Sequence, residues 1–485
     1  MKQTNEGANA YEHSMNHALE FFSKAGSLYD TPARRAKKGF YGNESTALEL
    51  FINSWIVDKP LSYALLLWLR DCRGGAGNRS ASRSIYKWIA ENDPEWIKAN
   101  LHQIPIVGRW DDLRSLFGTP LETNAAEFWA SVLRSEDNVL AAKWAKRWDV
   151  PLRRALGFDT DTPGGKQLRL FLSPIRQGHI VEHKMCQKQW ENITYDHVPS
   201  VAMSRYTNAF KKNDADRFAT FKEKVKSGEA KVHADVLFPH DCIRTCKHGD
   251  KEMAELQFNA LPNFMENEGE DERIMVISDT SGSMDVDISG SVTAYDVSVG
   301  LALYCSAKMR EDSPFHKRFI AFCSESSFKD WRGMSFAEAV HNRRIFDHAV
   351  GSTRIDTALD LLLQTAIERK ISQDLMPTIL LIVSDMQFHQ GSRTDDTEVE
   401  ACLKEWDQAG YDRPKIVYWN TAGYSGSQAT ENMEHVGLVS GFSPSILKSL
   451  LGGTDFSPIS VMLRTLEKYE VHLPPLPINI RMLEE

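Results

Sequence analysis

Between residues 270 and 455, short runs built entirely of apolar side chains alternate with longer stretches of helical character. No other feature of the chain constrains its fold as strongly. IMVI at 274–277 precedes TAYDVSVGLALYCSAKM, RFIAFC at 318–323 precedes RIDTALDLLLQTAIERK, and TILLIVS at 378–384 precedes TEVEACLKEWDQA. KIVYW at 415–419 follows, and then SPSILKSLLGG. A strand with one solvated face alternates apolar and polar residues, whereas a strand that is apolar throughout is covered on both faces. With helices between the runs, the expected architecture is a parallel sheet sandwiched by helices.

Before that point the apolar spacing is helical. TALELFINSWIVD sets Leu48, Leu50, Phe51, Trp55 and Ile56 on one stripe. PLSYALLLWLRDC follows with proline at its start, where a missing N–H costs least. RSIYKWIAEN, AAEFWASVLR, NVLAAKWAKRW and KQLRLFLSPIR continue the pattern, separated by Gly, Pro, Asn or Asp. Successive helices on short connections fit a HEAT-like α-solenoid, although no repeat of fixed period emerges. The fold class expected is therefore α + α/β. Its parts are an N-terminal segment (1–40), a helical domain (41–265), a parallel-sheet domain of Rossmann-like winding (270–455), and a terminal helix near Ser460–Glu467 with a proline-rich extended tail (456–485).

The net charge of −9 conceals an asymmetry: residues 1–250 carry +6 and the remainder −15, and nine of the twelve tryptophans lie in the first part. A mildly basic, Trp-rich front joined to an acidic back suggests a different partner for each. No stretch approaches the roughly 18 apolar residues of a membrane helix. The first residues show no apolar signal-peptide core, and the seven scattered cysteines form no disulfide framework. The expectation is a cytoplasmic protein, monomeric, with no membrane partner.

DTSGS at 279–283 directly follows the first apolar run. In open α/β sheets ligands bind at the carboxyl ends of strands. There Asp279, Ser281 and Ser283 offer a carboxylate and two hydroxyls at alternate positions, around a glycine that allows a tight turn. Thr353 in GSTRID and Asp385 at the end of LLIVSD sit at two further strand ends. An all-oxygen set of this kind suits a hard divalent cation such as Mg²⁺. These five residues, in this order of elements, resemble the metal-ion-dependent adhesion site of von Willebrand factor A domains. The resemblance implies that the hydroxyls contact the metal, the aspartates act mostly through water, and a position is left for a partner's acidic group.

LRDCRGGAGNR, VGRWDDL, LSPIRQGHIVEHKMCQKQWENITYDHVPSVAMSRY and KVHADVLFPHDCI are similar to segments of the Ro ribonucleoprotein (TROVE) family, in order over roughly residues 40–460. The resemblance implies a ring of helical repeats closed by a von Willebrand A domain, and binding of small structured or single-stranded RNA. The implied RNA contacts are Arg73, Arg79, Arg109, Lys143, Arg147, Arg153, Arg154, Lys184 and Lys188. The weakly basic front departs from that pattern.

In KWAKRWDVPLRRALG, cations lie beside Trp144 and Trp148, where phosphate neutralisation and base stacking could combine. The same spacing equally suits tryptophans packed in a core with the bases facing water. RDCRGGAGNR reads either as a phosphate cradle or as a plain helix connection. His240, Cys242, Cys246 and His248 are zinc-ligand types, but their spacing matches no familiar finger. TPGGKQ lacks the first glycine and the hydroxyl of a P-loop, and no catalytic motif is found. The expected function is non-enzymatic: an RNA-binding scaffold with a Mg²⁺ site, or alternatively a metal-dependent protein adaptor that binds no RNA.

Overall fold

The computed structural model describes residues 2–3, 7–11, 13–28, 46–135, 138–177, 180–266, 272–289, 292–345, 352–389, 397–423, 427–451, 456–469 and 471. Gly351 of GSTRID, the segment 29–45 and the tail from 472 lie outside the described residues.

The described residues between 46 and 260 are mainly helical, as the apolar spacing predicts. Thr46 opens the helix Ala47–Val57 through a capping box with Glu49, and Asp58 caps Lys59–Arg70 with Pro60 in its first turn. Helices Arg79–Asn92, Glu122–Arg134 and Thr162–Arg176 match their predicted runs. NVLAAKWAKRW forms helix only over Val139–Trp144, and the chain then turns at 145–149. Leu113 and Leu116 of the turn Trp110–Leu116 join the main apolar core, while Val181, Tyr195, Phe210, Phe218 and Phe221 build a second, smaller one.

The VGRWDDL segment is pinned by ion pairs. Arg70, almost fully buried, meets Asp112 at 2.7 Å, Arg83 meets both Asp112 (2.6 Å) and Asp111 (2.9 Å), and Arg109 meets Asp111 (2.9 Å). A Cβ on Gly108 would fall 2.4 Å from Asp112 Oδ2, and one on Gly75 only 2.1 Å from the Trp68 carbonyl oxygen. Both glycines are therefore required by close packing, which accounts for two segments of unusual composition without invoking a ligand.

The strands in chain order are β1 (Lys2–Gln3), β2 (Asn9–Ala10), β3 (Ile274–Asp279), β4 (Asp287–Ser289), β5 (Val292–Thr293), β6 (Arg318–Phe322), β7 (Ser326–Asp330), β8 (Ile379–Ser384), β9 (Lys415–Asn420) and β10 (Val436–Ser440). β1–β2 and β4–β5 are short antiparallel pairs. The main sheet has the order β10-β9-β8-β3-β6-β7 and is parallel except for β7, which folds back antiparallel on β6. The chain leaves β3 toward β6 on one side and returns to β8 on the other. Right-handed crossovers then put the helix Ala294–Lys308 on one face and Ile355–Glu368 with Glu398–Gln408 on the opposite face. The reversal lies between β3 and β8, where a crevice opens at the strands' carboxyl ends.

Helix Ala294–Lys308 is buried along nearly its whole surface, because the helix Pro239–His248 packs on its outer side. A Cβ on Gly300 would lie 3.0 Å from the His240 backbone nitrogen, so the two helices meet at that glycine. At the other end of the helical half, Tyr469 donates to Asp71 (2.8 Å) and Lys468 to the Gly74 carbonyl (2.6 Å). Both ends of the helical half thus rest on the sheet half.

The N-terminal segment, set apart in the sequence reading, is stitched to the same unit. Helix His17–Ala25 packs against β10 and β9. Ser27 donates to the Asn420 carbonyl (2.6 Å), Ser440 to the Phe22 carbonyl (2.7 Å), and the Gly26 N–H to Ser440 Oγ (3.0 Å). Asn78 also donates to the Leu28 carbonyl (2.7 Å), so this segment bridges the two halves.

Candidate cation site

The carboxyl ends of β3 and β8 bring Asp279 and Asp385 to the crevice, both fully buried. Just beyond β3 the chain turns. The Ser281 N–H donates to Asp279 Oδ1 (2.9 Å), and Thr280 is tied to the Phe322 carbonyl through its N–H (2.9 Å) and hydroxyl (3.0 Å). The turn therefore holds Ser281 and Ser283 inward, with their hydroxyl oxygens 3.1 Å apart. Thr353 enters from the start of helix Ile355–Glu368, and its hydroxyl donates to Ser281 Oγ at 3.0 Å. Ser384 donates to Asp279 Oδ2 at 2.6 Å, and the Gln387 N–H to Asp385 Oδ1 at 3.0 Å.

Asp279, Ser281, Ser283 and Thr353 are linked through these contacts, and Asp385 joins them electrostatically. Burial, and then the neighbouring Asp385 carboxylate, push the Asp279 carboxyl up to about 7, against the opposing hydrogen bonds from Ser384 and Ser281. A buried carboxyl whose proton affinity is raised by a neighbouring carboxylate can ionise once a cation stands beside the two. Two carboxylates and three hydroxyls, with no sulfur or imidazole, fit Mg²⁺-like chemistry by donor type. Among the described residues no group of three or more His, Cys, Asp and Glu side chains could hold a metal. The cluster at β3 and β8 is of a different kind, since hydroxyls make up most of its donors.

That census also bears on the zinc-type residues. On helix Pro239–His248, Cys242 and Cys246 are buried in the core, His240 lies between Phe238 and Phe442, and His248 is exposed. Cys242, Cys246 and His240 are packing residues of the junction, and His248 points to solvent away from the two buried cysteines.

Two contributors at the site carry no motif. Ser384 is visible in sequence only as the residue before Asp385. His389 gives no signal at all, yet its Nδ1 accepts from the Thr353 N–H (2.7 Å) while its own N–H donates to the Thr353 carbonyl (2.9 Å).

The nine basic residues expected to contact RNA differ in how open they are. Arg153 is buried, with its guanidinium donating to the carbonyls of Asp161 (2.6 Å) and Thr160 (2.7 Å), so it serves the fold and is not open to a phosphate. Lys143 pairs with Glu182 (3.3 Å) and Arg154 with Glu122 (3.3 Å). Arg109, besides its pair with Asp111, stacks on Trp144 at 3.9 Å. Lys184 donates to the Asn192 carbonyl (2.7 Å) and Arg73 to the Ile106 carbonyl (2.9 Å). Lys188 and Arg147 are exposed, and Arg79 is exposed with Arg109 and Arg83 as its strongest charged neighbours. The two tryptophans separate: Trp144 is partly buried beneath Arg109, while Trp148, beside Arg147, is 65% exposed.

Residues 273–470 match the family DUF7788, a domain of unknown function, and residues 166–276 match DUF2828, another domain of unknown function. The first covers the sheet half and the second the later helices. The chain is also similar to an uncharacterized protein of Acanthamoeba polyphaga mimivirus, 25% identical over 98% of this chain and 88% of the viral protein.

Proposed function

We propose that this chain is a non-catalytic binding protein whose sheet half takes a divalent cation at Asp279, Ser281, Ser283, Thr353 and Asp385 and captures an acidic group of a partner there. The carrying observation is the run of contacts at the crevice, Thr353 to Ser281 at 3.0 Å and Ser281 to Ser283 at 3.1 Å, beside two buried aspartates. Resemblance to von Willebrand factor A domains supports the same reading. A bound cation would supply positive charge and an open coordination position for a carboxylate. The protein's residues would orient it and hold it away from bulk water. Asp385→Ala is expected to release an acidic partner peptide or protein that wild type retains in Mg²⁺ and loses in EDTA. Retention unchanged by EDTA would defeat the reading.

RNA binding is the second reading, and exposed Trp148 favours it. An indole two-thirds exposed beside the exposed Arg147 suits stacking on an unpaired base. In this reading the helical half is a HEAT-like solenoid closing into a ring on the sheet half, as in Ro-like proteins; the packing of both its ends on that half supports it. Filter binding of single-stranded RNA should weaken about tenfold in Trp148→Ala, from the roughly 1–3 kcal/mol of one stacked base. Arg147→Glu should flatten the salt dependence, by about 0.7 in log–log slope per lost phosphate contact. An absence of saturable RNA binding at low salt leaves the adaptor reading alone.

A further inference from the structure

The loop that presents Thr353 is held within the sheet half, where the Ser352 N–H donates to Ser324 Oγ (2.9 Å) and the Arg354 N–H to the Cys323 carbonyl (3.0 Å), and it is braced further through His389 by the start of the chain. His389 grips it on both sides: the Thr353 N–H donates to His389 Nδ1 at 2.7 Å, and the His389 N–H donates to the Thr353 carbonyl at 2.9 Å. Residues 388–389 are in turn paired with the start of the chain. Gly7 forms an antiparallel bridge with His389, and the Ala8 N–H donates to the Phe388 carbonyl at 3.3 Å. A few residues on, Tyr11 and Ser427 exchange two backbone hydrogen bonds, each of 2.8 Å. Gly7 has φ of 91°, a conformation that side chains oppose, so the approach to His389 depends on a glycine at that position.

From these contacts we infer that the first residues of the chain are a structural part of the cation site. Gly7 and Ala8 fix the 388–389 segment, and His389 acts as a positioning residue that sets Thr353 for its contact with Ser281. The inference rests on the cation reading of the crevice for its functional meaning. The linkage itself is a statement about the 352–354 loop and can be measured without metal. The division of labour is specific. Asp279, Ser281, Ser283 and Asp385 belong to turns anchored within the sheet, by Ser384, by the Phe322 carbonyl and by backbone N–H groups. Thr353 differs in that its N–H and carbonyl both meet His389, which adjoins residues 7–8, while its neighbours Ser352 and Arg354 are tied to residues 324 and 323 beyond β6. Ordering of the N-terminal segment therefore helps to place one hydroxyl of the site.

The test uses the full-length chain and three substitutions at two positions. Gly7→Val opposes the bridge at its source. His389→Ala removes the acceptor, and His389→Asn restores an acceptor of similar reach. Hydrogen exchange of the peptide spanning 352–357, in EDTA, should quicken at least fivefold in Gly7→Val and His389→Ala and return toward wild type in His389→Asn, while exchange in β3 and β8 stays unchanged. Mn²⁺ affinity, followed by electron paramagnetic resonance, should fall about tenfold in the first two variants and recover in the third. If wild type binds no Mn²⁺, the cation reading fails and the exchange data still decide the linkage. Unchanged exchange at 352–357 in both Gly7→Val and His389→Ala overturns the inference, whatever the metal result.

Discussion

Asp112 sits in a short 3-10 turn, yet it receives three arginine contacts from separate elements: Arg70 through two nitrogens at 2.7 and 2.8 Å, and Arg83 at 2.6 Å. Arg70 has 2% side-chain exposure, so removing Asp112 strands a buried cation. Breaking a buried pair in this way costs about 3–5 kcal/mol. Asp112→Ala should therefore lower the denaturant midpoint sharply, and Asp112→Asn, which keeps an acceptor, should lower it less. At the crevice the balance runs the other way. The folded chain holds the Asp279 proton up to about pH 7, whereas an unfolded aspartate releases it near about 4. Within that window the folded state binds more protons, so this group's contribution to the stability of metal-free protein declines as pH rises. Asp279→Asn should flatten that decline, raising the melting temperature relative to wild type at neutral pH in EDTA and much less at about pH 4.5; an equal shift at both would refute the electrostatic account. The DTSGS turn and Asp385 could be found in sequence because their residue types announce oxygen ligation. His389 could not, since a lone histidine carries no pattern and its role depends on a contact with Thr353 across 36 positions.

Among the elements, the helix Ala294–Lys308 shows most clearly what tertiary packing adds to local pattern. Its sequence is apolar around most of its circumference, as befits a helix with the sheet on one side and Pro239–His248 on the other. Glycine in a helix interior costs roughly 1 kcal/mol relative to alanine. Gly300 is explained by the backbone of His240 lying 3.0 Å from where a Cβ would stand. Gly300→Val should force the two helices apart and destabilise the chain by about 2 kcal/mol or more, as overpacking of a tight contact does. A calorimetric melt within a degree of wild type would show that the junction is looser than its geometry. The four apolar runs were legible as strands because full burial removes every polar position. β7, SSFKD, was not, since an edge strand with a solvated face has no such run. β10, VGLVS, was hidden by Gly437 at its second position, which breaks its apolar run.

At the scale of the molecule, segments far apart in sequence meet. The N-terminal helix lies on β9 and β10, the first long helices meet the C-terminal Lys468 and Tyr469, and the last helices before the sheet pack on its central helix. Composition registered the two halves through their opposite charge. It gave no hint that residues 7–28 belong with residues 386–441, because hydrogen bonds such as Ser27 to Asn420 use common polar residues at unremarkable spacing. The expected RNA surface met the same obstacle: ion pairing to Glu182, Glu122 and Asp111 depends on the folded arrangement, and it leaves Arg147 and Trp148 as the more open part of that cluster. The central claim is the cation at the crevice, and a direct titration of Mn²⁺ into the full-length chain, read by electron paramagnetic resonance with Mg²⁺ as competitor, tests it most closely. The account predicts saturable binding of a single ion, displaced by Mg²⁺ and lost in both Asp279→Ala and Ser281→Ala, with the far-ultraviolet dichroism of each variant unchanged. No saturable binding in wild type, or undiminished binding in both variants, would contradict it.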